Sequence, residues 1–380
     1  MAQHNRVTLQ DIAVALGLST GTVSRALQDH PGINAMTKVK VLSIAKKLGY
    51  QPNLAARYLS SKRSLKISVN TPKESAYFYT LVRRGIDDEA ESFKMTGIEL
   101  KHRIFPSLLE GEVEAFEESL GEGVDGIILV PGDISRLRGC FRRASRARIP
   151  VICVVSDAPG VEKLASVTVN TASSGAIAAE LMARFLCGRA RIAISSGDLR
   201  ISDHAQKFNA FKNTMDSLYP DVQVYPPVEN HGLPTEAYDR MLAFLKRQSD
   251  LDGLYISTGS GAPVLRAVED AGLAGKLTIF ATNIFQDLVS RIQSGSVAGT
   301  LYERPYSQGR LAFRYLREYL IEGTWPPTRI QLAPLLIMRS NLDSFLMPAD
   351  GRGKQRIKQS ELISRASEDE LLLREVQMWL

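Results

Sequence analysis

The sequence predicts an all-α headpiece followed by an α/β body of two doubly wound parallel-sheet lobes. Three observations carry that reading. From Val7 to Leu27 (VTLQDIAVALGLSTGTVSRAL) apolar residues recur at helical spacing on both sides of a glycine. From Lys66 onward, near-continuous apolar stretches such as Val124–Val130 (VDGIILV) and Ile149–Val155 (IPVICVV) alternate with amphipathic ones. That is the pattern of a parallel sheet covered by helices on both faces. Finally, VDGIILVPGD at Val124 is nearly repeated as LDGLYISTGS at Leu251. Asp-Gly before a strand is also a common turn, but the matching glycine loops downstream favour a duplicated lobe.

The elements follow in order. Leu9, Ile12, Ala13 and Leu16 make one apolar stripe, which Gly17 ends. Ser19 is suited to cap a second helix that buries Val23, Ala26 and Leu27 and leaves Thr20, Gly21, Thr22, Ser24 and Arg25 outward. A third helix carries Val41, Ile44, Ala45 and Leu48, stopped by Gly49 and barred by Pro52. Three such helices form a helix-turn-helix unit, residues 1–52, whose second helix suits a DNA major groove. Asn53–Ser60 is too short to hold a helix alone, because nucleation costs more than two turns return. With the linker it makes a hinge over 53–64.

The body spans 65–346. Its first half reads as strand Leu65–Val69, helix Phe78–Lys94, strand Ile98–Ile104, helix Leu108–Leu120 and the two apolar strands already named. The rhythm then restarts with a strand at Ser166–Asn170 and runs through strands at Arg191–Ser195, Val222–Tyr225, Leu251–Ser257 and Leu277–Ala281. Ser296–Tyr302 reads as a strand, Tyr306–Glu322 as one long helix, and Ile330–Met338 as one closing strand. The expected lobes are therefore about 65–160 with 296–325, and about 161–295 with 326–346, joined by a double crossover. Residues 347–380 read as a polar tail. Leu362, Ala366, Leu373, Val376 and Leu380 fall on three- and four-residue steps interrupted by Asp369, so a frayed tail and an oligomerising helix are both open.

Charge separates head from body. Residues 1–63 hold nine Lys or Arg against Asp11 and Asp29, a net +7, while the other 317 residues hold 38 basic and 39 acidic, a net −1. A basic head on a near-neutral body points to a polyanion partner for the head. No apolar run approaches a membrane span, and MAQHNR has no signal-peptide core, so a cytoplasmic protein is expected. Cys140, Cys153 and Cys187 lack metal-ligand spacing and read as reduced thiols.

Catalytic motifs are wanting. The sequence has no nucleophile elbow, P-loop, HExxH or dinucleotide fingerprint, and its five histidines do not cluster. No metal and no cofactor is expected. Ser257–Gly261 is glycine-rich but lacks the lysine of a phosphate loop.

VTLQDIA, GLSTGTVSRAL and LGYQPNLAARYL together resemble the headpiece and hinge of the LacI/GalR (lactose-repressor) family, from Val7 to about Leu59. The resemblance implies a regulator of transcription, most often a repressor, with an effector domain of periplasmic-binding-protein type, acting as a homodimer or a tetramer on a pseudo-palindromic operator. It implies phosphate contacts from Thr8, Ser19, Thr22, Ser24 and Thr37, and base reading from Thr20, Gly21 and Arg25. Arg25 can donate two hydrogen bonds to guanine, whereas Gly21 gives up one direct reader. Ala55 and Ala56 would let two hinge helices pair closely, with Leu59 as a wedge in the minor groove.

A small-molecule site is expected between the lobes, at the carboxyl ends of the strands. Tyr77 or Phe78 would face a sugar ring. Asp157, Asn170, His204, Asn283 and Glu303 would supply polar contacts, although family members often carry Asp where Asn283 stands and Arg near Ala205 or Lys207. The resemblance implies a sugar or similar metabolite. The rival readings are a periplasmic-type sugar-binding protein and, third, a doubly wound enzyme.

Overall fold

The computed structural model describes residues 8–27, 32–48, 64–92, 97–248, 250–285 and 288–346. The chain divides into two compact units, one holding the three N-terminal helices and the other both sheets. The hinge residues Ala55, Ala56 and Leu59, and the tail 347–380, lie outside the described residues.

In the headpiece, α1 (Leu9–Leu16) opens on a capping box. The Thr8 amide donates to Asp11 Oδ2 at 2.7 Å, and the Asp11 amide donates to Thr8 Oγ1 at 3.3 Å. The Thr8 amide and then the Thr8 hydroxyl, both donating to Oδ2, hold the exposed Asp11 carboxyl below the usual aspartate range. Gly17, left-handed at φ 64°, ends the helix. With α2 (Thr20–Leu27) and α3 (Ala35–Leu48) it encloses Ile12, Ala13, Val23, Ala26, Val41 and Ala45.

The body contains two sheets. Strands β1 (Leu65–Pro72), β2 (Ile98–Phe105), β3 (Gly126–Leu129), β4 (Val151–Val155) and β5 (Ala165–Val169) form the first, together with β12 (Arg329–Leu332), in the order β12-β5-β4-β3-β1-β2. Every pairing is parallel. The second sheet runs β13-β11-β10-β9-β6-β7, where β6 is Ala190–Ser196, β7 Val222–Val224, β9 Gly253–Ile256, β10 Thr278–Thr282, β11 Gly299–Tyr302 and β13 Leu335–Met338. Only β13 is antiparallel to its neighbour, and the two-residue β8 (Val228–Glu229) pairs with β6. Central strands are buried along their whole length, which is why they read as apolar runs.

Three expectations need correcting. The Ala165–Val169 strand belongs to the first sheet and Gly299–Tyr302 to the second, the reverse of the lobe boundaries drawn from the sequence. Ile330–Met338 is two strands, one in each sheet, split at Ala333–Pro334, where proline has no amide to continue a ladder. The chain crosses between the lobes three times, after β5, after β11 and after β12. The long late helix ends as an α-helix, Pro305–Arg317, followed by a π-turn at Glu318–Glu322. An arginine-rich helix at Ile134–Ala147 escaped the sequence reading because its charges mask the buried line Leu137, Cys140, Phe141 and Ala144.

Helix α4 (Ala76–Ser92) lies against Pro305–Arg317 on the first lobe. The crossing is close: a Cβ at Gly85 would stand 2.2 Å from the Tyr306 carbonyl oxygen, and one at Gly309 would stand 2.1 Å from that of Val82. Beside it the buried Glu89 is clasped by Arg310 and Arg314 at 2.6 and 2.8 Å.

Candidate functional site

The headpiece presents the start of α2. Ser19 Oγ accepts the Thr22 amide at 3.1 Å and shares a 2.8 Å hydrogen bond with the Thr22 hydroxyl. Thr20 and Gly21 are exposed, and so is Arg25 one turn on. Arg25 Nε donates to the Gly21 carbonyl at 3.2 Å, which folds the guanidinium back over the bare glycine. Thr8 is exposed but its hydroxyl donates to Asp11, while Ser24 and Thr37 are half-buried. Free helix amides, hydroxyls and a guanidinium on one face can bind phosphate and read a base edge.

In the body, a cleft partly open to solvent lies between the two lobes. The lobes meet across it. Tyr77 Oη on the first lobe donates to the Gly259 carbonyl on the second at 2.7 Å, and its ring lies 6.2 Å from that of Phe285. Glu74 packs so tightly on the second lobe that a Cβ at Gly232 would stand 2.6 Å from Oε2. Five lining residues other than glycine, Ser75, Leu109, Val155, His231 and Asn283, have left-handed backbones. Strain of this kind costs about 1–3 kcal/mol per residue and gathers at functional sites.

The second-lobe wall is tied together. Lys207, from the helix Ser202–Leu218, is wholly buried; its ammonium sits 2.5 Å from Glu303 Oε1 and donates to the Ser257 carbonyl at 3.0 Å. Burial alone would strip its proton, but the pull of Glu303, with Tyr255 and Asp203, outweighs that and holds its pKa above the ordinary lysine value. Asn283 donates to Glu303 Oε2 at 2.8 Å and accepts the Glu303 amide at 2.9 Å. Asp198 is paired with Arg200.

The first-lobe wall is looser. Among the described residues Glu74 accepts only the Leu108 amide, at 2.9 Å. Burial, with Glu112 behind it, pushes its pKa up to about 7 against that hydrogen bond. Burial and then Glu74, Asp203 and Glu303 drive the Tyr79 phenol well above its usual range.

Of the residues singled out in the sequence, Tyr77, Phe78, His204, Asn283 and Glu303 line this cleft. Asp157 and Asn170 stand apart from it. Asp157 is held by Lys163 at 3.1 Å and Arg329 at 3.1 Å, and Asn170 caps the helix Thr171–Phe185 by accepting the Ser173 amide. Sequence reasoning missed Glu74 and Tyr79, and treated Lys207 only as a departure from an arginine. The position of Glu74 just past the end of β1 was the available signal, since strand ends of the first sheet face the cleft.

Comparison with known proteins matches both units. Residues 8–53 match the model for bacterial regulatory proteins, lacI family, and residues 67–324 match the periplasmic binding protein domain. Catabolite control protein A of Priestia megaterium is 27% identical over 331 residues, covering 86% of this chain and 96% of its own. An ABC transporter solute-binding protein from Burkholderia graminis, in complex with D-arabinose, superposes with TM-score 0.69 at 21% identity over 74% of this chain and 98% of its own. A glucose-galactose binding protein from Geobacillus stearothermophilus gives TM-score 0.68 at 21% identity over 74% and 99%.

Proposed function

This chain belongs to the lacI family of bacterial regulatory proteins, with a periplasmic binding protein domain behind its helix-turn-helix, and we propose that it represses transcription under control of a polyhydroxylated metabolite in its cleft. It is a DNA-binding transcription factor and not an enzyme; the headpiece match sets aside the reading as a plain sugar-binding protein. The observation that carries the DNA-reading proposal is the start of α2, where Ser19 and Thr22 cap an exposed helix end and Arg25 stands one turn on. In this reading Thr8, Ser19, Thr22, Ser24 and Thr37 hold phosphates, Thr20 and Arg25 face base edges, and two protomers read two half-sites. Ala55, Ala56 and Leu59 would pair the hinges and wedge the operator centre.

For control, the cross-lobe bond from Tyr77 to Gly259 supports a cleft that closes on a ligand. Proteins of the same fold hold monosaccharides such as D-arabinose. Closure would change the spacing of the two hinges in a dimer, and so bias their pairing on DNA. The test is Arg25→Ala in the full chain, measured on an operator selected from random oligonucleotides and on unrelated DNA. Specific binding should weaken by about 1–3 kcal/mol and tolerate a changed base at one position, with little loss on unrelated DNA. Equal losses on both would reduce Arg25 to a phosphate contact and break the reading.

A further inference from the structure

The cleft gathers more carboxyl groups than its cations pair. Of the carboxylates that line it, Asp198 is paired with Arg200 and Glu303 with Lys207. Two remain. Glu74 on the first lobe receives the Leu108 amide and no lysine or arginine among the described residues. Asp203 on the second lobe has His204 Nε2 at 3.9 Å as its nearest basic partner. These two carboxyl groups line the same cleft as Glu303 and Tyr79. Tyr79 is only 6% exposed, lines the cleft, and makes no hydrogen bond through its hydroxyl to any described residue.

The groups expected to meet sugar hydroxyls are already engaged. Asn283 and Glu303 bind each other, Glu303 also pairs with Lys207, and Asp157 is outside the cleft. What is left for a ligand is a pair of uncompensated carboxylates, the Tyr79 hydroxyl and the aromatic faces of Tyr77 and Phe78.

We propose that the effector is a polyhydroxylated compound bearing a protonated amine, an amino sugar or aminated polyol, whose ammonium lies between Glu74 and Asp203. This rests on the reading of the cleft as a polyol site and narrows it. A neutral sugar can hydrogen-bond both carboxyl groups, but it leaves Asp203 without a cation in a closing, drying cleft. A phosphorylated sugar adds negative charge to it. An ammonium brings three donors and cancels one charge, and a cation is also favoured over the aromatic faces. Cleft closure buries Glu74 against Gly232, so a ligand that supplies this cation favours the closed lobes more than its hydroxyl counterpart does.

The test uses the full chain, with calorimetry and melting curves against matched triplets: glucose, glucosamine and glucose 6-phosphate, then galactose, galactosamine and galactose 6-phosphate. An amino compound should bind about tenfold or more tightly than its hydroxyl parent. Glu74→Gln and Asp203→Asn should each reduce that preference, with an unchanged circular dichroism spectrum as the control for folding. A hydroxyl or phosphorylated sugar that binds as well as the amine would overturn this inference and leave the polyol reading standing. A preference that survives in both variants would overturn the assignment to Glu74 and Asp203. If no member of the panel shifts the melting curve, the polyol reading itself falls, and the inference with it.

Discussion

The two walls of the cleft are built on opposite principles. On the second lobe the buried charges are tied together: Lys207 pairs with Glu303, and Asn283 is bonded to Glu303 at both ends, while the half-buried Asp203 stands outside these bonds. On the first lobe Glu74 and Tyr79 line the same cleft, and among the described residues the Leu108 amide donating to Glu74 is the one hydrogen bond their side chains make. A tied network keeps its geometry whether or not ligand is present. An under-satisfied wall leaves interaction free energy to be realised only on binding. The contrast teaches that one lobe supplies the rigid seat and the other the response.

Removing Lys207 should break the contrast most severely. Lys207→Met leaves Glu303 buried and unpaired, which should destabilise the full chain by about 3–5 kcal/mol in denaturant unfolding. Adding Glu303→Leu should recover part of that loss. If Lys207→Met melts like the parent, the second wall is not a tied network.

Glu74 gives the next effect, and its sign is opposite to that of a salt-bridged carboxylate. Its folded pKa is raised to about 7 from an ordinary 4.5, by burial first and by Glu112 after it. The folded protein therefore holds a proton the unfolded chain has released. The stability this contributes is full below about pH 4.5 and is lost as pH rises through 7. Glu112 and Tyr79 on its own lobe, and His231 beside Gly232 on the other, face the same group, so the slope is shared with them. Glu74→Gln should flatten stability between pH 5 and 8 by up to about 3 kcal/mol. An unchanged pH profile would show that Glu74 is solvated in the free protein.

The smallest effect sharpens the comparison from the lobe contact. Tyr77→Phe removes the bond to Gly259 and should cost only about 0.5–1.5 kcal/mol, while enlarging the radius of gyration in solution scattering as the lobes open. An unaltered scattering curve would mean that other contacts hold the cleft shut.

Much of the architecture was legible in the sequence. The headpiece declared itself through local pattern, because Ile12, Ala13, Val23 and Ala26 all meet within one short stretch. The alternating body was equally plain. Which sheet a strand joins was not, since Ala165–Val169 and Gly299–Tyr302 carry the same apolar pattern wherever they pair. Partner choice there depends on contacts with residues far along the chain. In the cleft, aromatic and amide residues at strand ends were recognisable as lining. Lys207 was hard to recognise because lysine on a helix ordinarily faces water. Asp157 misled because it sits at a strand end, yet turns to Lys163 and Arg329.

The first sheet is completed late. Its strand Ala165–Val169 pairs on one side with Val151–Val155 and on the other with Arg329–Leu332, about 160 residues further on. As the chain leaves the ribosome, that strand waits as an open edge while the whole second lobe is made. Neither lobe can then be finished alone: the last segment to emerge closes the first sheet and, three residues later, begins the final strand of the second. Synthesis up to residue 328 yields two unsealed sheets. Until Arg329 appears, the open edge beside Ala165–Val169 has no partner from this chain.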